Sequence, residues 1–306
     1  MKNENFLTTR QLAHLWQVSA ATIKRWADAG HLQSNRTLGG HRRFALAEVA
    51  RFQNERGFGA PTPTKPEATA RRKASHVAAS HRRSSANTKT SRAKAERERR
   101  AVAENFFNAI IDGRDGVAMA VMLQAYLQGK SLVNVIDETV TTVMHRIGGL
   151  WHVGDLSVAD EHLATRTAIR ALEAMSVSVR RRYTEGRLAI CCAAEDELHE
   201  LPILCAQILL ENEGWRVKNF GANTPFFALA EAVEKHRPNL VCISSTTLLS
   251  LERSSREYMQ FYVAARACGA RIVLGGSGFS DEAVQQRFPA DLYAENFTQL
   301  IDFVNQ

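Results

Sequence analysis

Ala193-Ala194-Glu195-Asp196-Glu197-Leu198-His199-Glu200-Leu201-Pro202 is the stretch whose reading decides the fold. An apolar run, Leu188 to Ala194, leads into it, and Pro202 to Glu213 leads out with apolar residues at helical spacing. A strand, an acidic loop and a helix in that order put one imidazole at the carboxyl end of a strand. That is where open α/β sheets hold their ligands.

Downstream the same alternation repeats. Short apolar runs at Arg216–Phe220, Leu240–Ser245 and Arg271–Gly275, with a brief one at Asp291–Tyr293, predict four more strands. Helices are expected at Pro202–Glu213, Pro225–His236, Ser254–Ala267, Asp281–Arg287 and Phe297–Asn305, and Gly214 and Gly269 stand where C-caps belong. Such βα alternation predicts a doubly wound parallel sheet of flavodoxin-like (Rossmann-like) type over 184–306. Its strand-end loops carry Glu197 and His199, then Gly221-Ala222-Asn223-Thr224-Pro225, Ser244-Ser245-Thr246-Thr247 and Gly275-Gly276-Ser277-Gly278. Glycines, hydroxyls and one histidine around a crevice suit a large polar ligand with a cofactor metal. No Gly-x-Ser-x-Gly elbow is present for a hydrolase, and no Gly-x-Gly-x-x-Gly follows the first strand for a dinucleotide.

Upstream, residues 94–183 read as a bundle of about four helices. Val102, Phe106, Phe107, Ile110 and Ile111 repeat at helical spacing, and Val117–Leu127, Leu132–Ile147 and Glu161–Arg180 follow. Between the last two helices, Trp151 is followed by Glu161 and His162 at a spacing unusual for packing alone. Residues 57–93, rich in Pro, Ala, Ser and Arg, predict a disordered basic linker.

Residues 1–56 predict a helix-turn-helix head. Thr8 or Thr9 caps a first helix with Leu12, Ala13, Leu15 and Trp16 inward; Ser19 caps a second, with Ile23 and Trp26 inward and Gly30 at its end. Thr22, Lys24 and Arg25 form the candidate reading face. A Gly39-Gly40 hairpin tip then places His41, Arg42 and Arg43 to contact phosphates.

Charge divides the chain in the same way. Residues 1–56 hold 9 Lys/Arg against 4 Asp/Glu, residues 57–100 hold 12 against 3, and the net of +7 leaves the remainder at about −7. A basic third on an acidic remainder predicts a polyanion-binding head joined to a different module. The 45% hydrophobic content supplies real cores, and 306 residues suit two or three domains. With no run of about 18 apolar residues and no apolar h-region after Met1, a membrane span and a signal peptide are not expected. Five cysteines without CxxC spacing (Cys191, Cys192, Cys205, Cys242, Cys268) read as reduced core thiols of a cytoplasmic protein.

Taken with the two helices, the Gly-Gly-His-Arg-Arg-Phe run at 39–44 resembles the winged helix-turn-helix of the MerR/excisionase superfamily. Glu197-x-His199, Ser244-x-Thr246 and Gly275-Gly276 follow the order of the cobalamin-binding module. With the Trp151-x9-Glu161-His162 bundle and the head in front, the chain resembles the CarH/LitR cobalamin photoreceptor repressors. The resemblance implies a one-component regulator that binds promoter DNA, with adenosylcobalamin as cofactor and a dimer or tetramer as the responding assembly.

It assigns His199 as lower cobalt ligand with Glu197 in support. Ser244, Thr246, Gly275 and Gly276 would line the slot for the nucleotide tail. Trp151 and Val158 would cover the adenosyl group, Glu161 would bond to it, and His162 would become the upper ligand once the Co–C bond is lost. One position departs from the motif, since Pro202 stands where it has glycine, and proline denies the close approach that glycine allows. The alternatives are therefore a regulator of this architecture that senses another ligand or a partner and, more distantly, a corrinoid-dependent methyltransferase or mutase subunit. No enzyme activity is expected of a chain with this head.

Overall fold

The computed structural model describes residues 6–16, 18–37, 40–56, 81–179, 186–248 and 251–306. The head is built from β1 (Phe6–Thr8), α1 (Thr9–Leu15), α2 (Ala20–Asp28), β2 (Asn35–Arg36), β3 (Arg42–Ala45) and α3 (Leu46–Arg56). Thr8 closes a capping box with Gln11, and the Ser19 hydroxyl accepts from the Thr22 N–H at 3.1 Å, so both helix starts have the caps their sequences predict. The strands form an antiparallel sheet in the order β1-β3-β2. Its hairpin is tied by Thr37, whose N–H donates to the His41 carbonyl and whose hydroxyl accepts from the His41 N–H. Of the glycine pair at its tip, Gly40 takes φ +76° and Gly39 lies outside the described residues. Trp16 stacks on Phe52 of α3 at 5.2 Å and donates its indole N–H to Gln53, which locks α3 onto the turn.

The bundle comprises α4 (His81–Ile111), α5 (Asp115–Leu127), α6 (Leu132–Val135) running through a π turn (Ile136–Thr141) into α7 (Thr142–His152), and α8 (Val158–Val179). The helix α4 begins at His81, inside the span read from composition as a disordered linker over 57–93. Its polar start leaves no apolar periodicity for the sequence to mark. Residues 57–80 lie outside the described residues. Phe106, Ile110, Met122, Leu123, Val140, Leu172 and Met175 fill the bundle core.

The last module holds β4 (Leu188–Ala193), α9 (Leu201–Asn212), β5 (Arg216–Asn219), α10 (Phe226–His236), β6 (Leu240–Ser244), α11 (Leu251–Ala267), β7 (Arg271–Gly275), α12 (Glu282–Gln285), β8 (Leu292–Ala294) and α13 (Phe297–Val304). All five strands are parallel, in the order β5-β4-β6-β7-β8. The order reverses between β4 and β6, and the crevice of a doubly wound sheet opens outside the carboxyl ends of those two strands. Strand β4 is buried on both faces, as its Ala-Ile-Cys-Cys-Ala run dictates. The five cysteines are free thiols, four of them buried, and burial pushes Cys192 up to about 12. Among the described residues, no helix is long and apolar enough to cross a membrane.

Bundle and sheet share a core, with Leu201, Cys205, Ile208 and Leu209 of α9 packed into the bundle cluster. A second tie runs from the π turn, where the Asp137 carboxylate accepts from the Phe297 and Thr298 N–H groups and the Thr298 hydroxyl at 2.8–3.1 Å. It thereby satisfies the open N-terminus of α13. The head joins through α3. Asn54 donates to the Ser178 carbonyl at 3.1 Å and accepts from the Tyr126 hydroxyl at 3.0 Å, among buried Val49, Ala50 and Phe52.

Candidate cobalamin site

The loop between β4 and α9 carries one buried carboxylate and one exposed imidazole, and their geometry defines the site. Glu197 is 4% exposed, whereas the His199 side chain is 66% exposed. One Glu197 oxygen meets His199 Nδ1 at 2.5 Å and accepts the His199 backbone N–H at 2.9 Å. The other accepts the Thr246 N–H at 2.5 Å and the Thr246 hydroxyl as well. Burial alone would raise the Glu197 carboxyl, but the bonds from His199 and Thr246 outweigh it and bring it down to about 2. The same carboxylate raises the His199 imidazole above its ordinary value, against a smaller opposing effect of burial.

This is the arrangement a ligating histidine needs. A carboxylate on Nδ1 fixes tautomer and ring orientation, and Nε2 has no partner among the described residues. One imidazole is a single-donor set, which would suit a metal whose other positions a macrocycle fills.

The loop is held from two sides. Asp196 takes φ +66°, and its N–H donates to the Asn223 side chain, while the Asn223 N–H donates to the Glu197 carbonyl at 2.8 Å. Asn223, itself at φ +51°, is a positioning residue that sequence reading quoted only as part of a crevice loop. Asparagine's tolerance of the left-handed region is the signal that could have singled it out. At the other end Pro202 sits in the first turn of α9, where the missing N–H would have had no helical partner.

Ser244 ends β6, nearly buried, and its carbonyl accepts the Ala194 N–H at 2.9 Å. Gly275 ends β7 and Gly276 follows it. At Gly276, φ is +92° and an added Cβ would lie 2.3 Å from the Ser245 carbonyl oxygen, so only glycine permits the approach of these two loops. Two hydroxyls not singled out from sequence complete the contact: Ser245 donates to the Thr247 carbonyl and Ser277 to the Thr246 carbonyl, each at 2.9 Å. Nothing in their composition separates them from ordinary loop serines.

On the bundle side, Glu161 in the first turn of α8 lies close enough for its charge to help raise His199. Glu161 also accepts from the Thr165 hydroxyl at 2.7 Å, and His162 Nε2 stands 3.6 Å from its second oxygen. Trp151 at the end of α7 is 50% exposed and Val158 at the start of α8 is 55% exposed; Val153 and Leu163 are exposed as well. A tryptophan, two valines and a leucine in water at one end of a bundle form apolar surface suited to a large flat ligand. The residues present thus fit a corrin: a carboxylate-backed imidazole at the sheet's switch point, glycines where loops must close, and exposed apolar side chains at the α7–α8 turn of the bundle.

In the head, Lys24, Arg25 and His41 are exposed on α2 and the hairpin, as a reading face and wing require. Arg42 is different from the expectation. Its guanidinium is 12% exposed, donates to the Lys24 carbonyl at 2.9 Å and pairs with Asp28, so it rivets the wing to α2 instead of facing phosphate. Thr22 is partly committed as well, since its hydroxyl meets Ser19 at the cap. Arg43 remains half-buried on β3.

Comparison with known proteins finds three family matches along the chain. Residues 6–57 match the helix-turn-helix domain family, and residues 102–175 and 187–298 each match a B12 binding domain family. The class is therefore a helix-turn-helix protein carrying a B12-binding module, the bundle and the sheet forming its two parts. The chain is 30% identical over 190 residues to the HTH-type transcriptional repressor CarA of Myxococcus xanthus, covering 59% of this chain and 64% of that protein. It is 28% identical over 166 residues to the repressor CarH of the same organism, 53% of each chain. The matches span between half and two thirds of the length of these two relatives. The monomethylamine corrinoid protein of Methanosarcina barkeri shares the fold, with a TM-score of 0.57 at 16% identity, over 67% of this chain and 97% of its own.

Proposed function

We propose that this chain is a DNA-binding transcriptional repressor that senses light through adenosylcobalamin. The observation that carries the reading is the Glu197–His199 pair at the switch point, beneath the Glu161 turn of α8, in a chain headed by a helix-turn-helix. Bound adenosylcobalamin would supply a Co–C bond that visible light breaks. His199 would present Nε2 as the lower ligand, with Glu197 keeping the Nδ1 proton in place. Ser244, Thr246, Gly275 and Gly276 would receive the nucleotide tail. Trp151 and Val158 would cover the adenosyl group, Glu161 would hydrogen-bond to it, and His162 would offer a second imidazole to cobalt. Lys24, Arg25, His41 and Arg43 would meet promoter DNA. A dimer or tetramer would present several heads at once, and the gain in effective concentration makes DNA occupancy follow assembly.

The test is to mix the protein with adenosylcobalamin in the dark, pass it through gel filtration and record its spectrum, elution volume and DNA retention before and after green light. A red, cofactor-retaining assembly that binds DNA in the dark and shrinks on illumination is the expected result. A specific observation favours a second reading. Pro202 fills the first turn of α9, where the cobalamin motif has glycine, and a ring there narrows the approach to the helix N-terminus. A protein that elutes colourless yet still binds DNA would establish that second reading, a regulator of the same architecture answering to another ligand or partner.

A further inference from the structure

The amino ends of the strands, opposite the Glu197–His199 loop, hold a cavity of about 280 Å³ that the cofactor site does not use. Arg187, Arg216, His236, Arg237 and Asn239 line it, with no carboxylate side chain among the lining residues. Its rim is tied by the main chain. The Arg216 N–H donates to the Arg187 carbonyl, the Asn239 N–H to the Leu188 carbonyl and the Leu188 N–H to the Asn239 side chain, at 2.8–2.9 Å. The starts of β4, β5 and β6 are thereby held together. The six residues of β4, about 20 Å of strand, separate this end from the cofactor loop.

Cations in the last turn of α10 answer the helix dipole, which accounts for Lys235 and His236. It does not account for Arg187 and Arg216, which come from the starts of β4 and β5. Lys218 adds a further charge, since desolvation, Lys218 and Lys235 together hold the His236 imidazole below its ordinary value. These cations gather on residues 101–306, whose net charge is about −7. Among the described residues, the arginine–carboxylate pairs of this module lie elsewhere, Arg253 with Glu195 and Arg266 with Asp291. Two arginines are also held in ways that a solvated basic face does not require. Arg187 lies over the Trp215 ring and donates through Nη2 to the Glu213 carbonyl at 2.8 Å, and its Nε is buried without a partner. Arg237 ends α10 in the left-handed region, at φ +46° and ψ 60°. Glycine is the usual residue there, and backbone strain of this kind clusters at binding sites.

We propose that this cavity binds a phosphoryl dianion, carried by a small phosphorylated metabolite or by free phosphate. Guanidinium groups take phosphate oxygens through two parallel bonds, and Arg216 and Arg237 are exposed to supply them. Asn239 adds its NH₂ donors, because its carbonyl oxygen is already bonded to the Leu188 N–H. At about 280 Å³ the cavity lies at the small end of ligand sites, with room for a phosphate on a short organic body and too little for a dinucleotide. A bound dianion would join the starts of β4 and β5 to the end of α10. It would stabilise the sheet whether or not the loop at the other end holds a corrin, so the site stands apart from the cobalamin reading.

The experiment uses the full-length chain with two probes, inorganic phosphate and glycerol 3-phosphate. Chloride balances each series at constant ionic strength, so general screening is held fixed. Melting midpoints are recorded for wild type, Arg216→Gln/Arg237→Gln, Arg237→Gly and the wing variant Arg43→Ala, and calorimetric titration gives the dissociation constants directly. The wild-type midpoint is expected to rise with the logarithm of probe concentration once the site fills. Each charge-assisted bond lost weakens binding by about tenfold or more, so the double variant should show no rise in the same range. Arg237→Gly should melt higher than wild type without the probe, because glycine relieves the left-handed backbone, and yet lose the response. Arg43→Ala should respond as wild type does. Tighter binding of glycerol 3-phosphate than of phosphate assigns the site to a phosphorylated metabolite, and equal binding assigns it to the free anion. No rise of the wild type beyond chloride overturns the proposal. So does a wild-type response in the double variant or in Arg237→Gly, since the dianion then binds elsewhere. Arg216 and Arg237 are exposed, and the probe-free melt shows that each variant is folded.

Discussion

At the residue scale, the histidine was legible in the sequence and the bonds that fix its ring were not. His199 stands out as the imidazole of a strand-end loop; that Glu197 also accepts two bonds from Thr246, 49 positions away, appears only when β4 and β6 lie side by side. The carboxylate is therefore shared between His199 and the next loop. Replacing Glu197 with Gln should weaken cobalamin retention by about 10–100-fold, the usual cost of losing the group behind a ligating histidine. Equilibrium dialysis followed by cobalamin absorbance measures this, and retention equal to wild type would mean that Glu197 does not orient the ligand.

Arg42 carries the opposite lesson. Its place in a basic wing run suggests a phosphate contact, but a hairpin packed against α2 turns the side chain toward the Lys24 carbonyl and Asp28. Arg42→Ala should lower the melting midpoint of the head by about 5 °C, the shift that a loss near 1 kcal/mol gives a small domain. Its bond to Arg42 holds the Asp28 carboxyl below its ordinary 3.8. A depressed carboxyl contributes stability above its unfolded-state value and loses it as pH falls, so the gap between wild type and Arg42→Ala should narrow below about pH 3.8. A gap of constant size across that range would show that the ion pair is not what Arg42 contributes.

At the scale of elements, the parallel sheet was legible nearly strand for strand. Continuous apolar runs such as Leu-Ala-Ile-Cys-Cys-Ala have no stable place except between two helical layers. The start of α4 and the π turn of the bundle were not, because neither leaves an apolar periodicity. Residues 81–93 are polar, and a π turn shifts the helical face within an otherwise regular run. Yet the π turn sets the bundle against the sheet, by aiming Asp137 at the N-terminus of α13. Asp137→Ala should cost about 1–2 kcal/mol in a urea titration, the range of a lost helix cap, and should raise amide exchange at Phe297 and Thr298. Protection unchanged at those two amides would show that α13 is held by its apolar contacts alone.

At the scale of the whole molecule, α8 is the element that both binding regions share. Its 22 residues extend about 33 Å, with Glu161 beside His199 at one end and Ser178 under Asn54 of the head at the other. A rigid helix with a ligand at one end and a docked domain at the other has two ways to behave. Either head and cofactor site ignore each other, or a shift of α8 on one side changes the contacts on the other. In the second case the coupling is reciprocal by thermodynamic necessity: whatever factor cobalamin imposes on DNA affinity, DNA imposes on cobalamin affinity. Coupling of this kind is usually worth 1–3 kcal/mol, or about 5–150-fold. We expect the two factors, measured as the cobalamin dissociation constant with and without saturating duplex and the duplex constant with and without cobalamin in the dark, to agree. Asn54→Ala removes both bonds that fasten α3, to Ser178 and to Tyr126, and should bring both factors toward one while leaving the cobalamin affinity of the DNA-free protein unchanged. If Asn54→Ala keeps the full wild-type coupling, communication runs through assembly of several chains and not along α8. If the wild type shows no coupling in either direction, the head and the sensor share a helix without sharing a signal.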